Sequence, residues 1–113
     1  MENNNCGQIK ISNEVVATIA GLAALEVEGV ESSQSLTDKI LKNNGVKILI
    51  EDELVTLDIM LVVKFGVSIP DIAFKVQENV KNAVENMTGL EVSQVNVHVQ
   101  GVSFKKEKEE KKN

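Results

Sequence analysis

The apolar positions along the chain change their period several times, and each change predicts an element. Ile9 and Ile11 alternate with Gln8 and Lys10, which predicts a short strand. Ser12 then stands as an N-cap, with Glu14 placed to favour the first turn of a helix. Val15, Val16, Ile19, Ala20, Leu22 and Ala23 recur at three- and four-residue steps, the spacing of one helix face, and Gly29 is a C-terminal stop. Gly21 within this helix is read either as a close-packing position or as a tolerated glycine. From 30 to 44 the signal is weak, with Leu36, Ile40 and Leu41 suggesting one or two helical turns.

The clearest pattern runs from 46 to 65. If the chain reverses at Asp52 and Glu53, Ile50 pairs with Val55, Ile48 with Leu57 and Val46 with Ile59, all on one apolar face. The same register sets Lys47 opposite Asp58 on the other face, a charge pair that a one-residue slip would destroy. Asp-Glu is not a preferred two-residue turn, so a four-residue loop in this register stays open. Ser68, Pro70 and Asp71 then mark the start of a helix. Ile72, Ala73, Val76, Val80, Ala83, Val84 and Met87 give that helix its stripe, and Gly89 ends it. In a last strand Val95, Val97 and Val99 alternate with Gln94, Asn96, His98 and Gln100.

One-faced helices and one-faced strands predict an α+β fold: a two-layer sandwich of a mostly antiparallel sheet with two main helices on one face. Residues 1–6 are expected to be a disordered leader, 7–104 a single domain and 105–113 (KKEKEEKKN) a charged, flexible, solubilising tail. The strand order is left open. The sheet face turned away from the helices carries Lys47, Leu49, Thr56, Asp58, Met60 and Val62. That mixture reads as a partner or self-association surface with a small apolar centre and a polar rim, or as ordinary scattered surface apolarity.

Composition narrows the chemistry. The chain has 113 residues, 42% of them apolar, and all 12 basic residues are lysine against 17 acidic ones, for a net charge of -5. Without arginine, tryptophan or tyrosine, and with acidic excess, nucleic-acid binding is not expected. No run is long and apolar enough to span a bilayer, and MENNNCG lacks a secretory signal, so direct membrane insertion is not expected and a cytoplasmic location is, membrane-proximal only through a partner. One cysteine and one histidine cannot build a zinc site or a disulfide. His98 reads as a surface histidine, since nothing in the sequence sets a carboxylate or nucleophile beside it. Cys6 reads as an incidental thiol. The acidic runs lack calcium-loop spacing, and the glycines form no phosphate cradle. No catalytic, cofactor-binding or metal-ligating residue is therefore assigned, and no cofactor is expected.

A resemblance adds what periodicity does not supply. GVSIPDIAFKVQENVKNAVENMTGLEVSQVNVHVQGV, residues 66–102, resembles the alkaline-shock protein family of Gram-positive bacteria, also described as an envelope stress response family. The pieces that match are the helix start at Gly66 to Pro70, Val76-Gln77 with Val80, the Thr88-Gly89-Leu90-Glu91-Val92 turn, and the strand through Val95-Asn96-Val97 to Gly101-Val102. GQIKISNEVVATIAGLAALEVEGV, residues 7–30, resembles the family's N-terminal block. The resemblance implies a small non-enzymatic protein of cell-envelope homeostasis, acting as an adaptor or scaffold through protein partners, with a membrane-anchor protein among the candidates. It also implies an alternative, an accessory regulator of fatty-acid or acyl-chain metabolism that binds an enzyme or carrier protein. An uncharacterised small enzyme is the third class. Some relatives carry longer charged extensions than this chain does.

Overall fold

The computed structural model describes residues 6–32 and 45–104. Its elements are α1 (Asn13–Leu25), β1 (Val46–Glu51), β2 (Leu54–Lys64), α2 (Ile69–Thr88) and β3 (Glu91–Ser103). The helical turns expected around Leu36, Ile40 and Leu41, most of the expected leader and the charged tail lie outside the described residues.

The hairpin has the register expected from its alternation. Val46 pairs with Ile59, Ile48 with Leu57, Ile50 with Val55, and Lys47 with Asp58. Of the two connections left open, the two-residue turn is the one adopted, and it holds Asp52 and Glu53 at φ of 54° and 70°. Positive φ at both central residues is what the right-handed twist of the flanking strands selects.

The sheet corrects one expectation. Its order is β1-β2-β3, with β1 and β2 antiparallel but β2 and β3 parallel, so it is mixed where a mostly antiparallel sheet was expected. Parallel neighbours need a crossover, and α2 supplies it. The fold class itself stands: two helices and a three-stranded open sheet form an α+β layer pair. Val55, Leu57, Ile59, Leu61 and Val63 form one unbroken buried row on β2, and Val16, Ala20, Ala24, Val76, Val80 and Val84 of the helices belong to the same core.

Local signals decide the rest. The Ser12 side chain accepts from the Val15 backbone N–H and starts α1 as expected. Residues 7–12 form no strand, however, because Ile9 is 90% exposed and only Ile11 reaches the core. The buried stripe of α1 is also rotated from the expected one. Val16, Ala17, Ala20, Gly21, Ala23 and Ala24 face inward, while Val15 and Leu22 stay exposed. Small side chains on that stripe let α1 lie close to α2, and the Asn79 side-chain N–H donates to the Ala23 carbonyl at 2.7 Å. Ser68 precedes α2 in extended conformation but makes no side-chain cap, and Met87, placed on the expected stripe, is 68% exposed in the last turn. Gly89 closes α2 in the left-handed conformation, φ 80°.

Gly29 does more than stop a helix. The stretch 29–31 runs beside the second half of β2, with a Val30–Val63 bridge, Glu31 N–H donating to the Val62 carbonyl and Lys64 N–H to the Gly29 carbonyl, both at 2.8 Å. It continues the line that β1 occupies along the first half. Gly29 sits at φ 103°, and a Cβ there would come within 2.6 Å of Ile72 Cδ1. The Ile72 tip can turn aside, whereas the backbone strain cannot be avoided. Gly29→Ala is therefore expected to lose about 1–2 kcal/mol, read as a lower urea midpoint with unchanged slope. An unchanged midpoint would contradict the strained-turn account.

Candidate functional site

The side chains of β2 that point away from the helices define the site, because no element among the described residues covers them. The register sets them in rows across three strands. Leu49, Thr56 and Gln94 form one row, Lys47, Asp58 and Asn96 the next, and Met60 stands beside His98 in the third. All five residues proposed for a contact face, Lys47, Leu49, Asp58, Met60 and Val62, lie on this surface.

Their arrangement differs from an apolar centre with a polar rim. The centre is a polar belt, Lys47–Asp58–Asn96 with His98 on the diagonal, and the apolar residues flank it. Leu49 (56% exposed) and Leu54 lie towards the hairpin turn, and the half-buried Met60 and Val62 lie towards the other end of β2. Near the turn, the Thr56 and Ser93 hydroxyls are 3.3 Å apart, beside the irregularity that shifts the β2–β3 register.

Asp58 organises the belt. Its Oδ1 accepts from the Asn96 side-chain N–H at 3.0 Å and lies 3.4 Å from His98 Nε2. The Asn96 hydrogen bond, then the His98 contact, then the nearby positive charge available from His98 and Lys47 hold the Asp58 carboxyl below its usual range, against an opposing effect of desolvation. Sequence reasoning missed the Asp58–His98 contact. Its only signal was the pairing of β2 with β3, and two strands separated by a 20-residue helix carry no local mark of register. Among the described residues no hydroxyl or thiol is hydrogen-bonded to His98, and no three His, Cys, Asp or Glu side chains converge to hold a metal.

The sequence model of a family with cell envelope-related function matches residues 1–104. The chain belongs to the alkaline-shock protein 23 family. The resemblance read from residues 7–30 and 66–102 is borne out by that match. Among similar proteins, uncharacterised YqhY of Bacillus subtilis is 38% identical over 111 residues, 91% of this chain and 82% of its own length. YloU of the same organism, also uncharacterised, is 40% identical over 106 residues, 85% of this chain and 88% of its own. A stress response regulator gls24 homolog of Streptococcus pyogenes is 28% identical over 115 residues, covering 94% of this chain and 64% of its own. Among solved structures, a single-site variant of MamM-CTD aligns with a TM-score of 0.53 over 80% of this chain and 98% of that one. At 17% identity the likeness concerns the fold alone.

The belt makes a pH prediction. A carboxyl depressed in the folded state contributes stability that is present above its unfolded pKa, near 4, and is lost as pH falls through the lower folded value. Because Asp58 and His98 are both substantially exposed, the contribution is small. Asp58→Asn is expected to cost under about 1 kcal/mol at neutral pH. The gap from wild type should narrow as pH falls below about 5 and close towards pH 2, measured by urea unfolding at each pH. A gap that widens on acidification would contradict the assignment.

Proposed function

We propose that this chain is a non-enzymatic adaptor of the cell envelope that holds a protein partner on its open sheet face. The reading rests on one observation above the rest: β2 carries apolar side chains on both sides, but among the described residues only one side is packed by the fold. Leu49, Leu54, Met60 and Val62 offer apolar anchors in two groups, and the hydrogen-bonded belt between them offers charges of both signs for setting register and orientation.

The family's cell envelope-related function and its stress-response relatives support the cellular setting. No helix among the described residues is long and apolar enough to cross a membrane, so on this reading a partner such as a membrane-anchor protein provides the attachment. The Asp58–His98 contact lies on an open surface, and among the described residues no hydroxyl or thiol is hydrogen-bonded to it, which suits a recognition feature better than a nucleophilic reaction centre.

A photo-reactive residue at position 49 is expected to cross-link a partner protein in cells. Met60→Lys, on the same face, is expected to lower that yield at least about tenfold while changing stability by less than about 1 kcal/mol. Cys6→Ser, away from this face, should leave any cellular phenotype intact. A face that cross-links nothing would contradict the adaptor reading.

A further inference from the structure

β3 is an edge strand, and its two halves are treated differently. Along the first half, side chains of α2 occupy the outward backbone groups. Val92 N–H donates to Glu85 Oε2 at 2.9 Å, Lys81 Nζ donates to the Val92 carbonyl at 3.3 Å, and Gln77 Nε2 donates to the Val95 carbonyl at 3.0 Å. In a parallel strand the N–H and C=O of one residue point to the same side, and residues alternate. With the Val95 carbonyl facing outward, Val97 and Val99 face outward too. Past the second register shift, Ser103 bonds inward to Phe65 N–H, so Val102 faces outward. Among the described residues, no side chain caps Val97, Val99 or Val102.

The stripe of α2 that caps the first half runs 85, 81, 77, and its next step is Phe74. There the polar series ends in an aromatic ring that is 58% exposed. Phe65 and Phe104, each 69% exposed with ring centroids 5.1 Å apart, lie where β2 and β3 end, beside the exposed Val102. Every aromatic residue of the chain is thus on the surface, and none is in the core.

Natural edges are protected by lysine, proline or inward charge. Residues 92–104 contain no lysine, proline, aspartate or glutamate, in a chain with net charge -5. A molecule this acidic repels its own copies over most of its surface, but this segment can meet itself without placing like charges together. We propose that residues 97–99 of β3 pair antiparallel with the same residues of a second copy about a two-fold axis. Val97 would exchange hydrogen bonds with the second copy's Val99 and the reverse, about four in all. His98 would face the second copy's His98 in the non-hydrogen-bonded position between them. Other registers use only one complete outward pair, because the Val95 carbonyl is already taken by Gln77 and Gly101 faces β2. The irregularity after Val99 ends the pairing, and a two-fold contact closes on itself, so this contact taken alone gives a dimer. This contact runs through the backbone edge of β3, and His98 is the residue it shares with the open sheet face.

The short interface falls at the weak end of protein contacts. Sedimentation velocity of the full chain from about 10 μM to about 1 mM is therefore expected to show a concentration-dependent dimer, with a dissociation constant of micromolar or weaker order. Val99→Pro removes an outward N–H together with a half-buried valine side chain, and, in protein shown to remain folded, is expected to weaken it at least about tenfold. Phe74→Lys, at an exposed helical site, should weaken it without affecting the fold. Met60→Lys should leave it unchanged. In a Cys6→Ser background, His98→Cys should form a disulfide between copies on mild oxidation, and Gln94→Cys should not. A monomer up to about 1 mM would overturn the proposal. So would a dimer insensitive to both Val99→Pro and Phe74→Lys, cross-linking equal from positions 94 and 98, or an edge that binds only extended peptides of other sequence.

Discussion

The structure depends on the burial of one row of side chains: Val55, Leu57, Ile59, Leu61 and Val63, the inward positions of β2. Side chains of this kind are each stabilised by about 1.5–3 kcal/mol on leaving water, and the period-2 geometry of a strand sends all five to the same side. Both helices have to be laid on that side. The Val and Ala stripes of α1 and α2 serve this purpose, and the small residues of α1 allow the two helices to lie close together over a sheet only three strands wide.

Placing the helices on one side leaves the molecule asymmetric in two ways. Across the sheet, the helix face is closed and the opposite face is open, with Asp58, Asn96 and His98 hydrogen-bonded across its middle and apolar side chains on either side. Along the sheet, β1 continued by residues 29–31 forms one edge of the described residues, and β3 forms the other, capped by α2 over only half of its length. α2 thus contributes three things at once: the crossover that makes β3 parallel, half of the inner layer, and the polar side chains that quench the first part of the edge. The proposed adaptor role, in which proteins are recognised through open surfaces, fits this distribution of closed and open backbone.

Much of this is legible in the sequence. The hairpin register follows from two constraints that agree, an apolar face that must stay in phase and a Lys47–Asp58 charge pair that a slip would separate. The α+β class, the Ser12 cap and the Gly89 stop come from equally local chemistry. The errors have physical causes too. Two alternating isoleucines, Ile9 and Ile11, are too few to specify a strand without a neighbour to pair with. An Ala-rich helix has little contrast between its faces, so its pattern suggests a stripe one step out of phase, with Val15 and Leu22 turned inward. The side-chain face of the candidate site is legible for Lys47, Leu49, Asp58, Met60 and Val62, since the hairpin alone determines it. The belt is not, because Asn96 and His98 reach Asp58 only through a parallel pairing set by the tertiary crossover. Nor is the half-capped edge, which depends on where Gln77, Lys81 and Glu85 fall along β3.

β2 thus has one side committed to folding and one side left free. Alanine substitutions along this strand separate the two, with unfolding free energies measured in urea at positions 57, 59 and 61 and at 56, 60 and 62. The inward series is expected to lose about 2–5 kcal/mol per substitution. The outward series should lose under about 1 kcal/mol, giving a sawtooth of period two. Equal losses on both sides would refute the division, because they would mean that the outer face is packed under a layer of its own.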